Sequence, residues 1–116
     1  MKRFASHRVC FLHTGEILKK QVVEIDEISG VVLSVYPFVE EISFTEWLGG
    51  IILLSDVAPE RCGSESFETF TGRFVQKHHA EDGNMKDNLC LKAYFITGFN
   101  LQQMEFMPQS RIISLK

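Results

Sequence analysis

At 116 residues the chain has the length of one domain, enough to bury a core without disulfides or a structural metal. A formal net charge of -3, with no long run of one sign, argues against the basic stripe of a nucleic-acid binder. The longest apolar run, Ile51 to Leu54, is too short to cross a bilayer, and no apolar segment follows the charged start Met1–Arg8 as a signal peptide would require.

The cysteines Cys10, Cys62 and Cys90 are odd in number and form no C-x-x-C pair, which reads as reduced thiols. A cytoplasmic protein is therefore expected, contacting neither membrane nor nucleic acid. Ten phenylalanines stand against one tryptophan and two tyrosines, and Phe has no polar tip, so most of these rings are expected in the core.

In chain order, Val9-Cys10-Phe11-Leu12 is an apolar run ended by the turn signal His13-Thr14-Gly15. Gln21 to Asp26 alternates around Val23 and Ile25, the pattern of a half-buried strand with Glu24 and Asp26 on its water side. Glu27-Ile28-Ser29-Gly30 closes a hairpin, and Val31 to Tyr36 returns as a β-branched strand that Pro37 ends. Glu40 to Trp47 alternates again, as a short strand or an irregular edge whose carboxylates Glu40, Glu41 and Glu46 face solvent. Gly49-Gly50 permits a sharp bend, and Ile51 to Val57 reads as a strand buried on both faces.

Beyond Pro59 the polar turn residues gather. Phe67, Phe70, Phe74 and Val75 keep helical spacing, with Ser64 or Ser66 placed to cap a short helix and Gly72 weakening it. His78 to Asn88 reads as an exposed loop. Strands resume around Ala93–Thr97 and Arg111–Leu115, with a turn over Gly98–Gln103. The predicted fold is mainly β: a sandwich or flattened barrel of seven or eight short strands, with one inserted short helix, in a single domain over residues 1–116.

The first half resembles the accessory β-domain of the amidohydrolases (metallo-dependent hydrolases). Phe4–Cys10 is similar to its opening strand, and Gly15–Leu18 with Val22–Asp26 to its hairpin. Ile28–Val35 is similar to the return strand, Thr45–Leu54 to the strand that enters the catalytic barrel, and Phe99–Phe106 with Ser110–Leu115 to the strands that come after it. In the family the entry strand leads to an H-x-H pair that binds catalytic metal. Here Ala58-Pro59-Glu60-Arg61-Cys62 stands in that place, and no H-x-H occurs in the chain. By this resemblance, residues 61–88 stand in place of a barrel that takes about 200 residues. The resemblance implies an accessory domain without its enzyme: a non-catalytic binding or assembly module, acting through self-association or a protein partner, with no cofactor.

Candidate chemistry is sparse. His78-His79, with Glu81 and Asp82 behind, and Cys62 are the candidate metal ligands, but adjacent histidines diverge on any regular backbone, and a solvated loop is the simpler reading. Cys10 and Cys90 sit in apolar strand patterns, the setting of inert buried thiols, whereas Cys62 lies beside Arg61 in a loop. The alternative function is a small-molecule-binding protein or minor enzyme, with a pocket under the 67–75 helix that uses Cys62 or His78 and His79. The Phe67–Phe74 stripe equally suits a helix sealed onto its own sheet.

Overall fold

Two long strands open the fold. The structure is a computed structural model that describes residues 2–39, 45–81 and 90–115, the side chains of 77–81 excepted. β1 (Lys2–Phe11) pairs antiparallel with β2 (Glu16–Ile25), setting Phe4 against Val23 and Val9 against Leu18. β3 (Val32–Pro37) continues antiparallel beside β2. The turn between them is dictated by its residues: the Asp26 carboxylate accepts the Ile28 and Ser29 N–H groups at 2.8 and 2.9 Å, and Gly30 takes a φ of 77°. Asp closes such a turn with its side chain, and only glycine adopts that φ at no steric cost.

β4 (Thr45–Ser55) lies parallel to β1 on its other side. β5 (Lys92–Thr97) and β6 (Arg111–Ser114) continue antiparallel, giving the sheet order β3-β2-β1-β4-β5-β6. The mainly-β expectation holds, in the form of a single six-stranded mixed sheet. The sheet is rolled. Val31, just before β3, bridges Lys92 of β5, and the Val32 N–H donates to the Leu91 carbonyl at 2.7 Å, although three strands separate β3 from β5 in the sheet. The barrel is not closed, because β6 occupies the rest of that edge of β5.

Rolling gives the sheet an inner and an outer face. Inside lie Phe4, Val9, Val23, Ile25, Ile52, Leu54 and Ala93. Outside, Cys10, Leu12, Ile51, Leu53 and Ile96 form the floor under α1 (Phe67–Glu81). Ile51, Ile52, Leu53 and Leu54 are all fully buried, which is what a continuous apolar strand run demands. Each such side chain contributes about 1.5–3 kcal/mol of burial free energy.

The helix starts where its caps are. Ser66 Oγ accepts the Thr69 N–H at 3.2 Å, and Glu105 from the far end of the chain accepts the Phe67 N–H at 2.6 Å. Phe67, Phe70 and Phe74 then drop onto the sheet and onto Phe106.

Three expectations change. The strands are fewer and longer than expected, β1, β2 and β4 running to ten or eleven residues. Gly49-Gly50 does not separate two elements but lies inside β4, where the register against β1 shifts between Ala5 and Ser6 and Gly49 takes a φ of 79°. A bulge bends a strand without ending it. Residues 78–81, expected in a loop, belong to α1, since nothing from Gln76 to Glu81 breaks a helix. Glu40, Glu41 and residues 82–88 lie outside the described residues. Among the described residues no helix is long and apolar enough to cross a membrane.

Candidate functional site

The connection from β4 to α1 carries most of the reactive side chains. Ser55 Oγ accepts the Val57 N–H at 3.2 Å and turns the chain out of the sheet. Glu65 then organises the rest of the connection. Its Oε1 accepts the Cys62 N–H at 3.0 Å and an Arg73 Nη2 bond at 2.9 Å, while its Oε2 accepts Arg73 Nε at 3.1 Å. The Arg73 guanidinium, first among the causes, holds the Glu65 carboxyl below the usual carboxylate range. Arg73 also donates to the Glu60 carbonyl at 2.7 Å and packs over Phe74.

These residues border a groove of about 270 Å³ lined by Val57, Ala58, Glu60, Cys62, Arg73 and Phe74. Cys62 is exposed there. Arg73, which lines the groove with it, is already paired with Glu65. The groove opens beside α1 and not beneath it. Among the described residues, Phe67, Phe70 and Phe74 fill the underside of the helix where the pocket was expected.

A second hollow, about 450 Å³, lies across the same connection and includes Arg61, Phe106, Ser110, Arg111 and Ile112 in its lining. Arg61 donates from Nε to the Glu65 carbonyl at 2.9 Å and lies over the Phe106 ring, 4.3 Å from its centroid.

The third feature lies on the outer sheet face away from α1, where Ala5 and Val22 are fully buried and Trp47 is partly exposed. Cross-strand pairing places Tyr36, Val22, Ala5 and Trp47 in one row over four strands. Beside them Glu24 accepts bonds from Arg3 Nε at 2.7 Å, Ser34 Oγ at 2.8 Å and Tyr36 OH at 2.9 Å. The water-side carboxylate expected at Glu24 is thus the centre of a four-residue network. His7 meets Trp47 edge-on at 4.9 Å, with Phe38 5.7 Å away from the same indole. Trp47 nevertheless remains 47% exposed.

His78 and His79 belong to the last turns of α1, with side chains outside the described set, and Cys62 lines the groove. Cys10 is buried beneath α1, where desolvation pushes its thiol up to about 12, while Cys90 is exposed, contrary to its apolar sequence neighbours. Among the described residues no group of three or more His, Cys, Asp or Glu gathers as a metal site. The Arg3–Glu24–Ser34–Tyr36 network and the Arg61–Phe106 stack went unforeseen. Both join residues far apart in sequence, and only the period-two register of the hairpin hinted at the first. Comparison with protein-family models, with curated proteins and with solved structures found no match.

Proposed function

We propose that the chain is a non-catalytic binding or assembly module, the role implied by its resemblance to the amidohydrolase accessory β-domain, and that its first partner is a second copy of itself. One observation carries this reading: α1 seals one part of the outer sheet face, while Trp47 stays half-exposed on the other, held by His7 and Phe38. A half-exposed tryptophan held by neighbouring rings is the type of anchor that interfaces use. Closed twofold pairing of one patch with itself is the commonest route to an oligomer. The test is sedimentation of wild type and Trp47→Ala over a wide concentration range. The reading requires a dimer that the substitution weakens; a monomer at every concentration rejects self-assembly.

A second reading, a small-molecule-binding protein or minor enzyme, rests on the Cys62 groove. Small ligands favour concave sites with a few polar groups among apolar walls, and this groove mixes Glu60, Cys62 and Arg73 with Val57, Ala58 and Phe74. It requires that alkylating Cys62 abolish binding of whatever compound a ligand screen returns, and a screen in which Cys62→Ser binds equally well removes it.

A further inference from the structure

We infer that the hollow between Arg61 and Arg111 is a binding site for a small organic carboxylate, with the anion between the two guanidinium groups and the apolar body on the walls. The two cations come from separate parts of the chain: Arg61 from the connection before α1, Arg111 from the start of β6. Both line one hollow of about 450 Å³, and two like charges facing one space favour an anion between them.

Each arginine is presented by a fixed backbone. Arg61 commits its Nε to the Glu65 carbonyl and its face to Phe106. That ring is itself buried among Phe67, Phe70 and Phe99. The arginine is therefore pre-organised, and little rotamer freedom remains to be lost on binding. Arg111 is anchored through its N–H to Thr97 Oγ1 at 3.1 Å. The preceding Ser110 donates to the Gly98 carbonyl at 3.1 Å and accepts the Met107 N–H at 2.8 Å. Among the described residues no hydrogen bond is seen to the Arg111 guanidinium or to the terminal nitrogens of Arg61, so the fork geometry that suits a carboxylate is available on both.

Charge and shape narrow the ligand further. Glu60 also lines the hollow, so two cations and one carboxylate leave a single positive charge, matched by a monoanion and over-compensated by a phosphate dianion. Pro59, Phe106 and Ile112 supply apolar walls, which call for a hydrocarbon body behind the carboxylate. The site shares no residue with the Trp47 face, so it stands or falls separately from self-assembly.

The test is titration of isotope-labelled protein with benzoate, with benzamide as the neutral counterpart and an N-acetylated dipeptide ending in a free phenylalanine carboxylate as the chain-terminus counterpart. Benzoate is expected to move the amide signals of residues 60–62 and 110–112 in a saturable way, and benzamide to leave them in place. Arg111→Gln, at an exposed position, is expected to fold normally and weaken benzoate by about tenfold or more, as loss of a charge-assisted pair should. Tighter binding of the dipeptide would mark a polypeptide terminus as the source of the carboxylate; tighter binding of benzoate would mark a free acid. No movement at millimolar benzoate, equal movement with benzamide, or full affinity in Arg111→Gln would overturn the assignment. Trp47→Ala is expected to bind benzoate as wild type does, whatever its mass in solution.

Discussion

Arg3 and Glu24 stand directly opposite one another on β1 and β2, and Arg3 Nε donates to Glu24 Oε2 at 2.7 Å. Ser34 and Tyr36 on β3 reach the same carboxylate, so one acid ties three strands at the open end of the outer face. The register places it there: Glu24 pairs with Arg3 on one side and Ser34 on the other. This is the lateral support behind the row that carries Trp47.

The network has a pH signature. The bond from Arg3, and then those from Ser34 and Tyr36, lower the Glu24 pKa below its ordinary value of 4.5. A carboxyl depressed in the folded state contributes stability that is present above the unfolded pKa and is lost as pH falls through the folded pKa. Glu24→Gln is therefore expected to cost about 1 kcal/mol near neutrality, a figure held down by solvent screening of a partly exposed pair. The gap between wild type and variant should close as pH drops below about 4.5. Urea unfolding at several pH values checks this, and a gap that stays constant into acid would refute the assignment.

Phe70 is the centre of the helix–sheet seal. It is fully buried and meets Phe67, Phe74 and Phe106. Phe70→Ala is expected to lose ~3–5 kcal/mol in chemical denaturation. An unchanged midpoint would mean that α1 does not seal the sheet.

The thiols should separate by burial. Cys10 lies under α1 with its thiol pushed up to about 12, whereas Cys62 and Cys90 are exposed. Only the thiolate attacks a disulfide reagent. Two thiols are expected to react promptly with such a reagent in native buffer and the third only on unfolding, with Cys10→Ser leaving the fast phase unchanged. Three fast thiols would contradict the packing of β1 against α1.

Metal content is the direct check on the hydrolase branch. Protein purified without added metal is expected to show no stoichiometric transition metal by elemental analysis, and treatment with a chelator to leave its unfolding midpoint unchanged. One zinc per chain would point back to His78, His79 and Cys62 and reverse the non-catalytic reading.

The sequence made the local features legible because local patterns carry them. The alternation of Val23 and Ile25, the Glu27–Gly30 turn, the doubly buried Ile51–Leu54 run and the Phe67–Phe74 stripe are all written within a few residues of themselves. What lay between elements was not. The parallel pairing of β1 with β4, the roll that brings Val31 to Lys92 and the Glu105 cap on Phe67 depend on partners dozens of residues away. Gly49 illustrates the ambiguity of a glycine: the same residue permits a turn or a bulge, and only the partner strand decides. For the site, Cys62 was visible as a loop cysteine. That Arg61 and Arg111 line one hollow was hidden, because a charge in a loop and a charge at a strand end share no pattern.

Trp47 is the single tryptophan of the chain, so its fluorescence reports the proposed assembly face without a label. Acrylamide quenching of that emission should be measured from dilute to concentrated protein. A red-shifted, readily quenched indole at low concentration, becoming shielded and blue-shifted as concentration rises, is the expected result for an open Trp47 face that a second copy covers. Quenching that does not change with concentration, or an indole shielded even in the most dilute sample, would contradict it.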